Sequence, residues 1–163
     1  MNRAYAILGL LVAAIVGFGI VTRVMGGKDD KTLIRESLRQ SLEASRKGEP
    51  GGVLEAISSK FKFNDQEASG NTSMIANYIR NQKPDIEVTN QNPIVTGDEA
   101  RITSPVKLKL SVPILGDKTV TIPDVVMVFQ KETTREFLVF PVPKWRLTEV
   151  QAQNVNPTEI GIE

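Results

Sequence analysis

The run Ala4 to Thr22, AYAILGLLVAAIVGFGIVT, contains nineteen residues without a charge and is closed at its two ends by Arg3 and Arg23. As a helix rising about 1.5 Å per residue it reaches roughly 28 Å, which matches the hydrocarbon core of a bilayer. Its ten Leu, Ile, Val and Phe residues supply roughly −3 to −6 kcal/mol of insertion free energy, with no ionised side chain to offset them. The run predicts one transmembrane helix, with residues 1–27 forming the anchor and a short joint and the lipid bilayer as its partner. A cleaved signal peptide is a second reading, but Thr22, Arg23, Val24 and Met25 make a poor cleavage site. A pilin-type start is a third; it lacks a Glu near the beginning of the run, and Gly26-Gly27 interrupts the long helix it needs. A short positive N-terminus ahead of a domain-bearing anchor favours a domain outside the cytoplasm. Gly9, Ala13 and Gly17 recur every four residues, a spacing that lets two membrane helices approach closely. They are the candidate packing positions of a homodimer, beside the plainer reading that small residues are common in such helices.

From Lys28 onward 136 residues remain, enough for one domain with one core. Two of the twenty basic residues flank the anchor, leaving eighteen against nineteen acids beyond it, so no basic field steers nucleic acid. The chain has no cysteine and no histidine. That removes disulfides, thiolate metal sites, the commonest general base and the commonest zinc ligand. No metal site, cofactor or catalytic residue is predicted.

Asp29 and Asp30 suit a helix start, and Leu33, Ile34, Leu38 and Leu42 form an apolar stripe at helical period. Arg46, Lys47 and then Gly48 suit its end. After the turn Glu49 to Gly52, Val53, Leu54, Ile57 and Phe61 suggest a second helix of two to three turns. Phe61 to Ser73 reads as a loop. Met74, Ile75, Tyr78 and Ile79 mark a third helix over Thr72 to Gln82, stopped at Lys83-Pro84. The period then changes to two. Asp85 to Thr89 begins a strand, Ile94 and Val95 lead to a turn at Gly97-Asp98, and Ala100, Ile102, Val106, Leu108, Leu110 and Val112 alternate with polar residues in a long strand. Pro105 within it implies an edge or a bulge. A hairpin turn at Leu115 to Lys118 leads to a return strand, Thr119 to about Lys131, bent near Pro123-Asp124. Its stretch Val125 to Phe129 is apolar at every position and should be central or covered on both faces. Phe137 to Phe140 reads either as a further strand or as an apolar excursion ending in Pro141-Val142-Pro143. Lys144 to Gln151 closes the sheet, with Trp145, Leu147 and Glu149 on one side. Residues 152–163 form a polar tail.

The helix stopped at Lys83-Pro84, the strand Asp85 to Thr89, the turn Val95 to Ala100 into a long alternating strand, and the closing Lys144-Trp145-Arg146-Leu147-Thr148-Glu149-Val150 resemble the nuclear transport factor 2-like (cystatin-like) superfamily. The resemblance covers Lys31 to Gln151, within a domain expected at 28–151. It implies an α+β fold in which three N-terminal helices pack on a curved antiparallel sheet, forming a cone. The superfamily includes isomerases, dehydratases and docking modules, so fold alone does not choose a function. One anchor followed by such a domain also looks like assembly subunits of type IV secretion systems and accessory domains of cell-wall enzymes.

Isomerases resembling this fold use a pocket carboxylate as base; here Asp85, Asp98 and Asp124 are the acids to weigh, with Tyr78 for an oxyanion. Asp85 and Asp98 stand in ordinary places for aspartate, and Pro123-Asp124 fits a bulge. Tyr78, Asp124 and Trp145 are the ligand-pocket candidates; core packing is the plainer reading for Tyr78 and Trp145. Ser104-Pro105-Val106-Lys107 matches a serine-x-x-lysine pattern, but on a strand its two ends face opposite sides. Asn71-Thr72-Ser73 fits a glycosylation triplet that arises often by chance. The expectation is a non-enzymatic, membrane-tethered extracytoplasmic domain engaging a cell-envelope protein or a small apolar ligand. A pocket enzyme of isomerase or dehydratase type is the alternative.

Overall fold

The computed structural model describes residues 29–67, 72–112, 116–136 and 140–152. The anchor with Gly9, Ala13 and Gly17, the glycosylation triplet's Asn71, Leu115 of the predicted hairpin turn, Phe137 to Val139 of the predicted strand or excursion, and the tail beyond Ala152 lie outside them. Among the described residues no helix is long and apolar enough to cross a membrane.

Helix α1 spans Asp30–Lys47. Asp29 caps it by accepting from the Thr32 amide at 2.8 Å, Asp30 occupies the first turn, and Arg46 and Lys47 occupy the last, all favourable to the helix dipole. Gly48 ends it at φ 76°, its N–H turned back to the carbonyls of Ala44 and Ser45, a conformation in which a Cβ is costly. Ile34, Leu38 and Leu42 are buried as the stripe requires. Ser37, Ser41 and Ser45 are buried beside them, and the Ser45 hydroxyl donates to the Pro84 carbonyl at 3.1 Å.

The expected second helix is shorter than its apolar spacing suggests. Helix α2 is the single turn Pro50–Leu54, and Ile57–Phe63 is strand β1. Ile57 and Phe61 fit a helical period, yet Phe61 and Phe63 are buried while Lys60 and Lys62 are exposed, and pairing to a neighbouring strand decides between the two. Nor is Phe61 to Ser73 all loop. Asn64 and Asp65, at φ 45° and 65°, make a two-residue turn with two positive φ angles into strand β2, Gln66–Glu67. Helix α3, Thr72–Gln82, buries Ile75 and Ile79 and stops where predicted.

Strands β3 Asp85–Val88, β4 Ile94–Thr96, β5 Glu99–Val112, β6 Gly116–Glu136 and β7 Phe140–Gln151 complete the sheet. Its order is β2-β1-β7-β6-β5-β3, with β4 also on β5. The three helices are therefore not all N-terminal to the sheet, since β1 and β2 precede α3. Nor is the sheet wholly antiparallel, because β1 joins β7 in parallel.

Bulges bend the sheet. Ser104 pairs with Val125 and Val106 with Ile122, so Pro105 alone opposes Pro123 and Asp124. The bulge expected at Pro105 and the bend expected at Pro123-Asp124 are one feature: neither proline has an N–H for the ladder, and Asp124 takes φ 54°. A second bulge corrects the predicted face of Glu149. Val128 pairs with Glu149 but Phe129 with Leu147, so Thr148 is extra and Val150 takes the buried place behind Trp145 and Leu147. Strand β7 also begins earlier than Lys144, at Phe140. Pro141 and Pro143 are tolerated there because, among the described residues, β1 pairs with β7 only from Leu147 onward, so the β1–β7 ladder does not call on their missing N–H.

The core lies between the helices and the inner sheet face. Ala100, Ile102, Val106 and Leu108 of β5 point into it, as the alternation predicts, with Val125, Met127 and Phe129 of β6 beside them. Strand β6 is central, between β5 and β7; on its outer face Val128 is only 4% exposed while Val126 is half-buried.

Candidate functional site

Trp145, Tyr78 and Asp124 occupy three different settings. Trp145 is 3% exposed. Its indole N–H donates to Asp30 Oδ1 at 2.9 Å, and Lys131 Nζ lies 5.0 Å from the ring centroid while donating to Asp30 Oδ2 at 3.0 Å. Burial works against the charge on Asp30, but the bonds from Trp145 and Lys131 outweigh it and hold the carboxyl below its ordinary range. The three groups pin the start of α1 to β6 and β7. Tyr78 is half-buried on α3 against the core, and burial pushes its phenol up to about 12. Asp124 is exposed at the bulge. No hydrogen bond or ion pair joins these three to one another among the described residues.

Of the remaining acids, Asp98 is exposed in the turn before β5. Asp85 is bound by Arg46 at 2.9 Å and Lys109 at 3.5 Å. Ser104 is buried and its hydroxyl accepts from the Asn90 amide at 2.7 Å, whereas Lys107 faces Glu87 across the outer surface at 3.6 Å. The serine and lysine thus lie on opposite sides, as strand alternation requires.

The structure gathers charge at a place that the sequence reading did not single out, a cleft of about 570 Å³ between the second half of α1 and strands β3 and β5. Leu42, Ile86 and Val88 make its buried floor. Five cations, Arg39, Arg46, Lys47, Lys107 and Lys109, stand against three acids, Glu43, Asp85 and Glu87. Asp85 and Glu87 lie directly across the β3–β5 ladder from Lys109 and Lys107, an arrangement that favours opposite charges. Glu43 pairs with Lys47 one helical turn on at 2.7 Å, and that bond holds its carboxyl low and the ammonium high. Each acid is thus matched, and Arg39, exposed on the rim, adds its charge to those that hold Glu43 low, leaving the rim with more cations than acids. Such a rim suits an anion. Finding it required knowing that α1 lies along β3, which no spacing in either segment reveals.

A second cleft, about 590 Å³, lies on the outer sheet face. Its three cations, Lys60, Lys62 and Arg101, match three acids, Glu99, Glu132 and Glu149. At its end Ser58 donates to Glu132 at 2.5 Å, and Lys144, 2% exposed, binds Glu55 at 3.2 Å. Sequence reading passed over this network because β1 was expected to be helical.

Solved structures of other proteins share this architecture. A nuclear transport factor 2-like superfamily protein from Salmonella enterica superposes with a TM-score of 0.55 at 16% identity, over 82% of this chain and 96% of that one. The fold is nuclear transport factor 2-like. The CaMKII hub of S. rosetta gives 0.59 at 13% identity, over 78% and 98% of the two chains. A ketosteroid isomerase candidate from Shewanella frigidimarina gives 0.52 at 14%, over 76% and 96%. No family model and no curated protein matches the sequence. Neighbours this distant in sequence share the nuclear transport factor 2-like fold, and function must come from the site.

Proposed function

We propose that this chain is a membrane-tethered, non-enzymatic binding domain, held outside the cytoplasm by Ala4 to Thr22, that docks an acidic segment of a protein partner in the α1–β3 cleft. The carrying observation is the surplus of cations around that cleft, five against three, over a floor already buried. The charged rim favours an anionic peptide over a small apolar ligand. An isomerase or dehydratase needs an acid in the cone. Asp98 and Asp124 are exposed and Asp85 is tied to two cations, which weighs against that alternative. The hub-named neighbour supports association of copies as a further property, with Gly9, Ala13 and Gly17 as anchor contacts.

Two measurements test the reading. The full chain should stay with membranes through alkaline extraction, and added protease should cut its domain in intact cells. A fluorescent polyglutamate peptide should bind the detergent-solubilised chain, weaken with salt, and lose most of its affinity on Arg39→Glu. Unchanged binding in that variant, or binding indifferent to salt, refutes the cleft as the docking site.

A further inference from the structure

Strand β3 ends the sheet, with β5 on one side and, among the described residues, no strand on the other. Which of its backbone groups face the open side follows from one bond. The Thr89 amide donates to the Pro105 carbonyl at 3.2 Å, so the N–H and C=O of Thr89 point towards β5. Along an antiparallel ladder this direction alternates from residue to residue. Glu87 and Asp85 therefore also turn their backbone groups towards Lys107 and Lys109, which they face across the ladder, whereas Ile86 and Val88 turn theirs to the open side. The Val88 carbonyl agrees, accepting from the side-chain amide of Gln91 at 3.3 Å.

The α1–β3 cleft runs along this edge. Its lining takes Ile86 and Val88 from the buried face of β3 and Asp85 and Glu87 from the other face, and one cleft touches both faces only where the strand lacks a neighbour. Arg39 and Arg46 of α1 stand on one side of it, Lys107 and Lys109 of β5 on the other. Ile86 and Val88 are 2% and 3% exposed. Apart from the Val88 carbonyl, their outward groups thus lie at the cleft floor with neither a strand nor ready access to water. Backbone groups so placed cost free energy that an added strand recovers.

We infer that the cleft takes its acidic segment as an extended strand laid against β3, and that this segment carries its carboxylates at every second residue. The inference deepens the docking reading of the cleft and rests on it. Arg39 and Arg46 are exposed, so their side chains swing aside to admit the strand. Side chains on one face of it then meet these two cations, a setting that favours acids. Side chains on the other face lie beside Asp85 and Glu87, where like charges across a ladder repel. A second copy of this chain is a poor occupant, because pairing edge to edge brings together two rims that each hold five cations against three acids.

The test varies the peptide and leaves the protein as it is. Fluorescent octapeptides of Glu and Thr in equal number, arranged alternately or in pairs (Glu-Glu-Thr-Thr), are titrated against the detergent-solubilised full chain. The alternating peptide is also made with N-methyl groups on all its Glu residues or on all its Thr residues. The alternating order should bind several-fold tighter than the paired one. N-methylation of one set should weaken binding by about tenfold or more, because those amides face β3, while methylation of the other set changes it by less than about twofold. Equal binding of the two orders, or equal effects of the two methylated sets, overturns the inference; binding that still weakens with salt and on Arg39→Glu then leaves the docking reading standing. No binding by any of these peptides overturns both.

Discussion

Replacing Asp30 by Ala should destabilise the domain by about 2–4 kcal/mol, for reasons that can be worked through bond by bond. The carboxylate accepts from the Trp145 indole at 2.9 Å and from Lys131 at 3.0 Å. Trp145 is 3% exposed, so its N–H cannot turn to water, and a hydrogen bond to a charged acceptor contributes about 1.5–3 kcal/mol. The Lys131 contact contributes less. Its side chain is 27% exposed and that of Asp30 is 37% exposed, and screened pairs of this kind give about 1 kcal/mol or below. Asp30→Asn keeps an acceptor for the indole and loses the charge, so it should cost roughly half as much. The assay is urea unfolding of the full chain in micelles, followed by circular dichroism so that Trp145→Phe can be included. Asp30→Ala and Trp145→Phe should couple by about 1–2 kcal/mol. Costs that add to within about 0.5 kcal/mol, or an Asn variant as unstable as the Ala variant, would refute the pin. The pH dependence carries a definite sign. Because the folded state lowers the Asp30 pKa, its stabilisation is complete above the unfolded value of about 3.9 and is lost as pH falls through the lowered one. The urea midpoint should therefore drop below about pH 4 more steeply in the wild type than in Asp30→Asn.

Gly48→Ala should cost about 1–2 kcal/mol, the penalty for a Cβ in the left-handed region, because Gly48 sits at φ 76° with Lys83 Cγ 3.0 Å from where that Cβ would stand. A thermal melt checks it, and Gly48→Asn, which tolerates this conformation better, should melt between the two. In a Tyr5→Phe background, ultraviolet titration should show Tyr78 ionising at about 12 rather than about 10. The folded form then holds its proton more tightly than the unfolded form. The associated stability is present below about pH 10 and lost as pH rises towards 12, a loss that Tyr78→Phe should remove.

Helix α1, helix α3 and the buried face of β5 were legible because each carries its own period, capping residue or stop signal over enough residues to outweigh local exceptions. Ile57 to Phe63 was not. Its apolar residues satisfy both periods in part, and what settles the matter is β7, some ninety positions later. The turn at Asn64-Asp65 was the available clue, since a pair of residues tolerant of positive φ between Phe63 and Gln66 is a hairpin signal. Trp145 shows what a closing strand leaves open in sequence alone. Core packing is the plainer reading of a lone tryptophan there, and its burial fits that reading, but its bond to Asp30, 115 residues away, carries no signal in either segment. The cationic cleft was invisible for the same reason: Arg39, Arg46 and Lys47 look like an ordinary solvated helix face until β3 and β5 bring Lys107 and Lys109 alongside.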